Sequence, residues 1–146
     1  MKTEVGIIGA GPAGLMLARI LQQHGIDTVI LERRSRDHVL GRIRAGVLEQ
    51  GTVDTLKAHG VGARLEREGI PIKSMQIRWN GEKHVTSIVD ESGRHLTTYG
   101  QAKVVRDLIE QREADGLPIL FEAPVERLES IDDAPRVHFT HDASYD

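Results

Sequence analysis

Gly9-x-Gly11-x-x-Gly14 stands between a short apolar run, Val5-Gly6-Ile7-Ile8, and a longer one, Leu15-Met16-Leu17-Ala18-Arg19-Ile20-Leu21. Few folds can use that arrangement. Gly9 permits a tight turn out of a strand, Gly11 lets backbone come close to a diphosphate, and Gly14 lets the following helix pack against the strand. Polar Gln22, Gln23 and His24 lead to Gly25, which stops the helix, and Ile26 to Leu31 supplies a second apolar, β-branched strand. Strand, helix, strand is the crossover that makes a right-handed parallel pair. A purely structural glycine turn is the competing reading.

Glu32 ends the second strand and gives the turn chemical context. A carboxylate there can accept both hydrogen bonds of an adenosine ribose, and it repels a 2′-phosphate, so the cleft suits FAD or NAD better than NADP. Arg33, Arg34, Arg36, Arg42 and Arg44 follow as the densest basic stretch, broken by Asp37. A solvated surface is the ordinary explanation for such charges. Arg42 and Arg44, however, flank Ile43 in a glycine-bounded loop expected near the nucleotide cleft, where they can neutralise a pyrophosphate or a second nucleotide. Nucleic acid is a poor partner for a chain of net charge −3 with 3% aromatic residues. Gln101, directly after Tyr99-Gly100, can contact a cofactor or cap the helix it precedes.

The remaining pattern is mixed. A helix is expected from Val47 to about His59, with Leu48, Thr52, Thr55, Leu56 and His59 on one side and Gly60 ending it. From Ile70 the period becomes two, with Ile72, Ser74, Gln76 and Arg78 alternating with Lys73, Met75, Ile77 and Trp79. Asn80-Gly81 is a strong hairpin signal, and His84 to Val89 and Arg94 to Tyr99 complete an antiparallel meander. Val104, Val105, Leu108 and Ile109 form a helical stripe closed by Asp115-Gly116. Leu117 to Phe121, Val125 to Ile131 and Val137 to Phe139 read as strands. The last is followed by a turn with no return strand, so the chain is expected to be an incomplete protein, with a natural terminal tail as the alternative.

The 146 residues, 39% of them apolar, can bury one modest core. Cysteine is absent, which excludes disulfides and thiolate chemistry. The histidines are scattered, no His-Glu-x-x-His or Gly-x-Ser-x-Gly occurs, and no catalytic or metal-ligating residue is assigned. Met1-Lys2-Thr3-Glu4 lacks the features of a signal peptide, and no apolar stretch is long enough to span a bilayer, so a cytoplasmic protein without a membrane partner is expected.

The chain resembles the class A FAD-dependent aromatic-ring hydroxylases. The matching pieces are Lys2-Thr3, Val5, Ile7 to Pro12, Gly14-Leu15, Val29 to Arg33, Tyr99-Gly100-Gln101, Arg106-Asp107-Leu108 and, most specific, Val39 to Gly51. The resemblance implies an α/β, Rossmann-like FAD-binding βαβ unit with an inserted antiparallel β-meander, truncated. Residues 1–70 would be the first part of the FAD-binding domain, 71–99 a meander contributing to the substrate-domain region, and 100–146 an incomplete return.

It also implies that Gly9, Gly11, Ala13, Gly14 and Glu32 hold the ADP half of FAD, and that Arg42, Arg44 and Gln101 line its path toward the flavin. Ala13 stands where relatives often carry a serine, which removes one hydroxyl contact. Arg33, Arg34, His38 and Arg44 are pyridine-nucleotide candidates; His38 replaces a familiar tyrosine, NADPH is the preferred donor, and NADH stays open. The implied reaction converts 4-hydroxybenzoate, NADPH and O2 to 3,4-dihydroxybenzoate, NADP+ and water in a homodimeric full-length protein. The substrate-clamping residues would lie beyond Asp146, so the isolated stretch is not expected to hydroxylate. A hydroxylase for another phenol or aromatic acid and a noncatalytic nucleotide-binding module are the alternatives.

Overall fold

A parallel strand pair cannot be closed by a hairpin, and the chain meets that constraint at its start. In the computed structural model, which describes residues 1–141, the elements follow in the order β1 (Val5–Ile8), α1 (Pro12–Gln23), β2 (Thr28–Leu31), α2 (Arg36–Gly41), β3 (Val47–Leu48), α3 (Gln50–Ala58) and α4 (Ala63–Glu68). Then come β4 (Ile70–Ile72), β5 (Ser74–Trp79), β6 (Glu82–Ser87), β7 (Leu96–Thr98), α5 (Gln101–Ala114), β8 (Ile119–Leu120), β9 (Val125–Glu129) and β10 (Arg136–Phe139). They divide into two compact units, Met1–Arg42 with the described residues from Val105 on, and Ile43–Val104. The terminal turn expected of the sequence falls, from Asp142, outside the described residues.

In the first unit β1 and β2 run parallel, Val5 opposite Thr28 and Ile8 opposite Leu31, and β8 joins β2 in parallel as the third strand. This is the expected α/β, Rossmann-like arrangement. α1 makes the crossover and ends before Gly25, whose φ of 75° puts the residue in the left-handed region that stops a helix. β2 is buried at every position, as a strand covered on both faces must be. β9 and β10 pair antiparallel, so Val137 to Phe139 has its partner upstream. Two strands alone are marginal; here Val125, Val137 and Phe139 pack on the cluster of Val29, Leu31 and Ala123.

In the second unit β7 pairs antiparallel with both β3 and β4. The expected helix from Val47 therefore starts later. Val47 and Leu48 are extended against Thr98 and Thr97, Glu49 is the extended residue before α3, and of the expected side Leu56 is buried but Thr52 is exposed, with Val53 buried in its place. β5 and β6 form the hairpin promised by Asn80-Gly81, whose φ values of 50° and 81° are those of a primed two-residue turn. The third strand expected of the meander forms, but as β7 it pairs with β3 and β4 and not with β6. A turn intervenes, in which the Asp90 carboxylate accepts from the Ser92 and Arg94 amides and the Ser92 hydroxyl. α4, unforeseen, buries only Leu65. No helix among the described residues is long and apolar enough to cross a membrane.

Candidate nucleotide site

Two of the three glycines of the turn are required by conformation and by packing, and the third borders open space. Gly9 has a φ of 106°, which a side chain would strain. A Cβ on Gly14 would stand 2.4 Å from the Gly9 carbonyl oxygen and 3.1 Å from Ile7 Cγ2, so only glycine lets α1 lie this close to β1. Gly11 has an ordinary extended conformation, and a Cβ there would meet nothing within 4 Å. Space is thus left open beside the first turn of α1.

That turn is also electrically available. Pro12 carries no amide proton, and the first bond of the helix runs from the Leu15 amide to the Gly11 carbonyl, so the amides of Ala13 and Gly14 have no intrahelical acceptor. No side chain caps the turn and none in it is acidic. The positive end of the helix dipole is left for an anion to meet. Ala13 is exposed there.

Glu32 faces the same turn. Its carboxylate accepts from the Ala10 amide at 2.9 Å through one oxygen and from the Arg34 amide at 2.9 Å through the other. Its own backbone is fixed on both sides, donating to the Leu120 carbonyl and accepting from the Ala123 amide. Each carboxylate oxygen can take a second donor, so two acceptor positions remain on a side chain whose direction is set. The residues present fit a ribose and diphosphate.

A buried residue that the sequence reading passed over positions this strand. Arg112, 3% exposed, donates to the Thr28 carbonyl at 2.7 Å, to Thr28 Oγ1 at 3.1 Å and to the Pro118 carbonyl at 3.1 Å. Burial pulls its guanidinium below the usual arginine range, with Asp27 and Asp115 opposing. It ties the start of β2 to the approach of β8. Its signal was available: Arg112 continues the helical stripe of Val105, Leu108 and Ile109.

The basic stretch separates into engaged and exposed members. Arg36 forms a two-pronged pair with Glu113, at 2.8 and 2.9 Å, which raises the arginine's pKa. Arg33, Arg34 and His38 are exposed around the start of α2, where Ser35 Oγ accepts from the His38 amide. Exposed Arg42 ends α2. Arg44 and Gln101 belong to the second unit, Arg44 exposed in the loop before β3 and Gln101 the first residue of α5. No group of His, Asp and Glu that could hold a metal ion occurs among the described residues.

Comparison with known proteins adds the following. A family model described as FAD binding domain matches residues 2–144. The p-hydroxybenzoate hydroxylase of Acinetobacter baylyi is 42% identical over 146 residues, which cover 99% of this chain and 36% of that protein. Among solved structures, p-nitrophenol 4-monooxygenase PnpA of Pseudomonas putida superposes with a TM-score of 0.81 at 23% identity, over 95% of this chain and 36% of that one. A probable FAD-dependent monooxygenase of Pseudomonas aeruginosa, PqsL, gives 0.79 at 21% identity, over 94% and 38%. These two are likenesses of fold. The chain spans little more than a third of the length of each of the three.

Proposed function

Since this chain belongs to the FAD binding domain family, we propose that it is the cofactor-holding portion of an aromatic-ring hydroxylase, a 4-hydroxybenzoate 3-monooxygenase that uses NADPH and O2. The observation that carries the reading is the pairing of the open turn at Gly11 with a Glu32 carboxylate held toward it by the Ala10 amide. The choice of substrate rests on the similarity to p-hydroxybenzoate hydroxylase along nearly the whole chain.

In this reading the Ala13 and Gly14 amides bind the diphosphate, with Gly9 and Gly11 keeping side chains out of its way. Glu32 accepts from the ribose hydroxyls, and its charge disfavours a 2′-phosphate at that spot, so NADPH is received elsewhere. Arg33, Arg34 and His38 are exposed donors suited to a 2′-phosphate; Arg36, held by Glu113, is not among them. Arg42, Arg44 and Gln101 are assigned as further contacts of FAD, and Arg44 also of the pyridine nucleotide. FAD, when bound, supplies the electron transfer and oxygen activation. What this chain's residues contribute is binding, orientation and charge balance.

The test uses the full-length protein. It should copurify with FAD and, given 4-hydroxybenzoate, couple NADPH oxidation to formation of 3,4-dihydroxybenzoate. Glu32→Gln, which keeps an acceptor for the Ala10 amide but removes the negative charge, should weaken FAD binding about tenfold, on the scale of a charged hydrogen bond. A different hydroxylated product from another phenol would replace the substrate assignment. Retained FAD with no oxygen insertion would make the protein a binding module.

A further inference from the structure

We propose that Gly46 is a positioning residue, which sets Arg44 and Gln101 relative to each other by clamping the loop before β3 onto the start of α5. The inference rests on the assignment of those two side chains as cofactor contacts.

Gly46 is not a glycine for conformational reasons, since its φ lies outside the left-handed region. It is required by contact. A Cβ there would stand 2.9 Å from Gly100 Cα, 3.3 Å from Gly100 N and 3.4 Å from the Tyr99 carbonyl oxygen. All three are backbone atoms and cannot rotate away.

The contact prolongs a ladder. Val47 pairs with Thr98, and one step further the Tyr99 amide donates to the Gly46 carbonyl at 2.7 Å. Side chains of an ordinary antiparallel pair stand clear on the two faces of the sheet, whereas here Gly100, one residue past the bonded Tyr99, crowds the place that a Cβ on Gly46 would take. One side of it is anchored: Tyr99 is 2% exposed, Lys103 Nζ lies 5.6 Å from its ring centroid, and the same ammonium is 2.6 Å from Glu68. The Gly100 carbonyl receives the Lys103 and Val104 amides and so opens α5.

Past the clamp the two strands diverge in role. Arg44 lies two residues before Gly46, and Gln101 two residues after Tyr99, so both leave the same end of one ladder. A Cβ on Gly100 would meet nothing within 4 Å, so space stays open beside the helix start. Fixing the loop in advance removes the ordering cost that a free arginine-bearing loop would charge against ligand binding.

The experiment is a double-mutant cycle in the full-length protein, with FAD dissociation constants read from flavin fluorescence. Arg44→Ala and Gln101→Ala should each weaken FAD about tenfold, on the scale of a charged hydrogen bond. Gly46→Ala should weaken it comparably, and in that background Arg44→Ala should cost less than about twofold, the non-additivity of coupled residues. Silent Arg44→Ala and Gln101→Ala variants would remove the assignment beneath the proposal. Effective single variants whose costs multiply with that of Gly46→Ala would leave the assignment standing and overturn the clamp.

Hydrogen exchange of the unsubstituted protein decides the matter even where Gly46→Ala does not fold. The Tyr99 amide should be protected without FAD and unchanged by adding it. Free exchange until FAD is added would sink the clamp.

Discussion

β2 is buried at every position, while every residue of β5 and β6 is exposed, although both regions are built from short strands. The difference lies in how each is made. β2 exists through its neighbours: β1 and β8 on its two edges, α1 on the crossover, and a guanidinium bonded to its first carbonyl. The β5–β6 hairpin exists through its turn, since Asn80-Gly81 sets the register from Trp79↔Glu82 to Ser74↔Ser87 without help from packing. A strand specified by packing fails when space is violated, and one specified by a turn fails when backbone conformation is.

A pair of glycine substitutions breaks or upholds that contrast, and it carries the largest expected effect. Gly14→Ala puts a methyl 2.4 Å from a backbone oxygen, so α1 must move off β1. The expected loss of stability is about 3 kcal/mol, the upper range for overpacking. Gly81→Ala meets open space and suffers only from its φ of 81°, which costs about 1 kcal/mol. Urea denaturation of the two variants compares them directly, and equal losses would end the distinction.

The same contrast explains what was legible beforehand. The β1–α1–β2 unit announces itself because its glycine turn and apolar runs are contiguous, and the hairpin because its turn is two residues long. β7 was placed with the wrong neighbour because its partners, β3 and β4, lie far off in sequence, and nothing local in Leu96–Thr98 names them. Val47-Leu48 is too short to show a strand period, so it merged into the helix that follows. In the site, Glu32 could be found from its place at a strand end, but its bond to the Ala10 amide could not. Arg36 looked like any other cation of its stretch until folding brought Glu113 to it.

Packing in the first unit also predicts a dependence on pH. Asp115, just past α5, accepts from Gln22 at 2.9 Å and Gln111 at 2.9 Å and pairs with Arg19 at 2.7 Å. The Gln22 hydrogen bond chiefly holds its carboxyl below the ordinary aspartate range, with partial burial opposing and Gln111, Arg19 and Arg112 assisting. A folded-state pKa below the unfolded one means stability that is fully present above the ordinary aspartate range and lost as pH falls toward the folded value. Asp115→Asn should therefore flatten the acid limb of a stability–pH curve and leave its slope near neutrality unchanged. An acid limb as steep as before would show that α1 and α5 are not joined through this carboxylate.

Trp79 gives the smallest expected effect and the sharpest limit on the comparison. It is 69% exposed and shares one face of the hairpin with Met75 and Ile77. If the turn alone specifies β5 and β6, Trp79→Ala should change the stability of this chain by no more than about 0.5 kcal/mol, as at other surface sites. The same substitution in the full-length protein asks a second question. A loss there of about 3 kcal/mol, the scale of removing a buried tryptophan, would mean that the face open in this chain is covered in the whole protein. The hairpin would then be a strand pair made by its turn and kept by packing, and the contrast with β2 would be one of order of assembly rather than of kind.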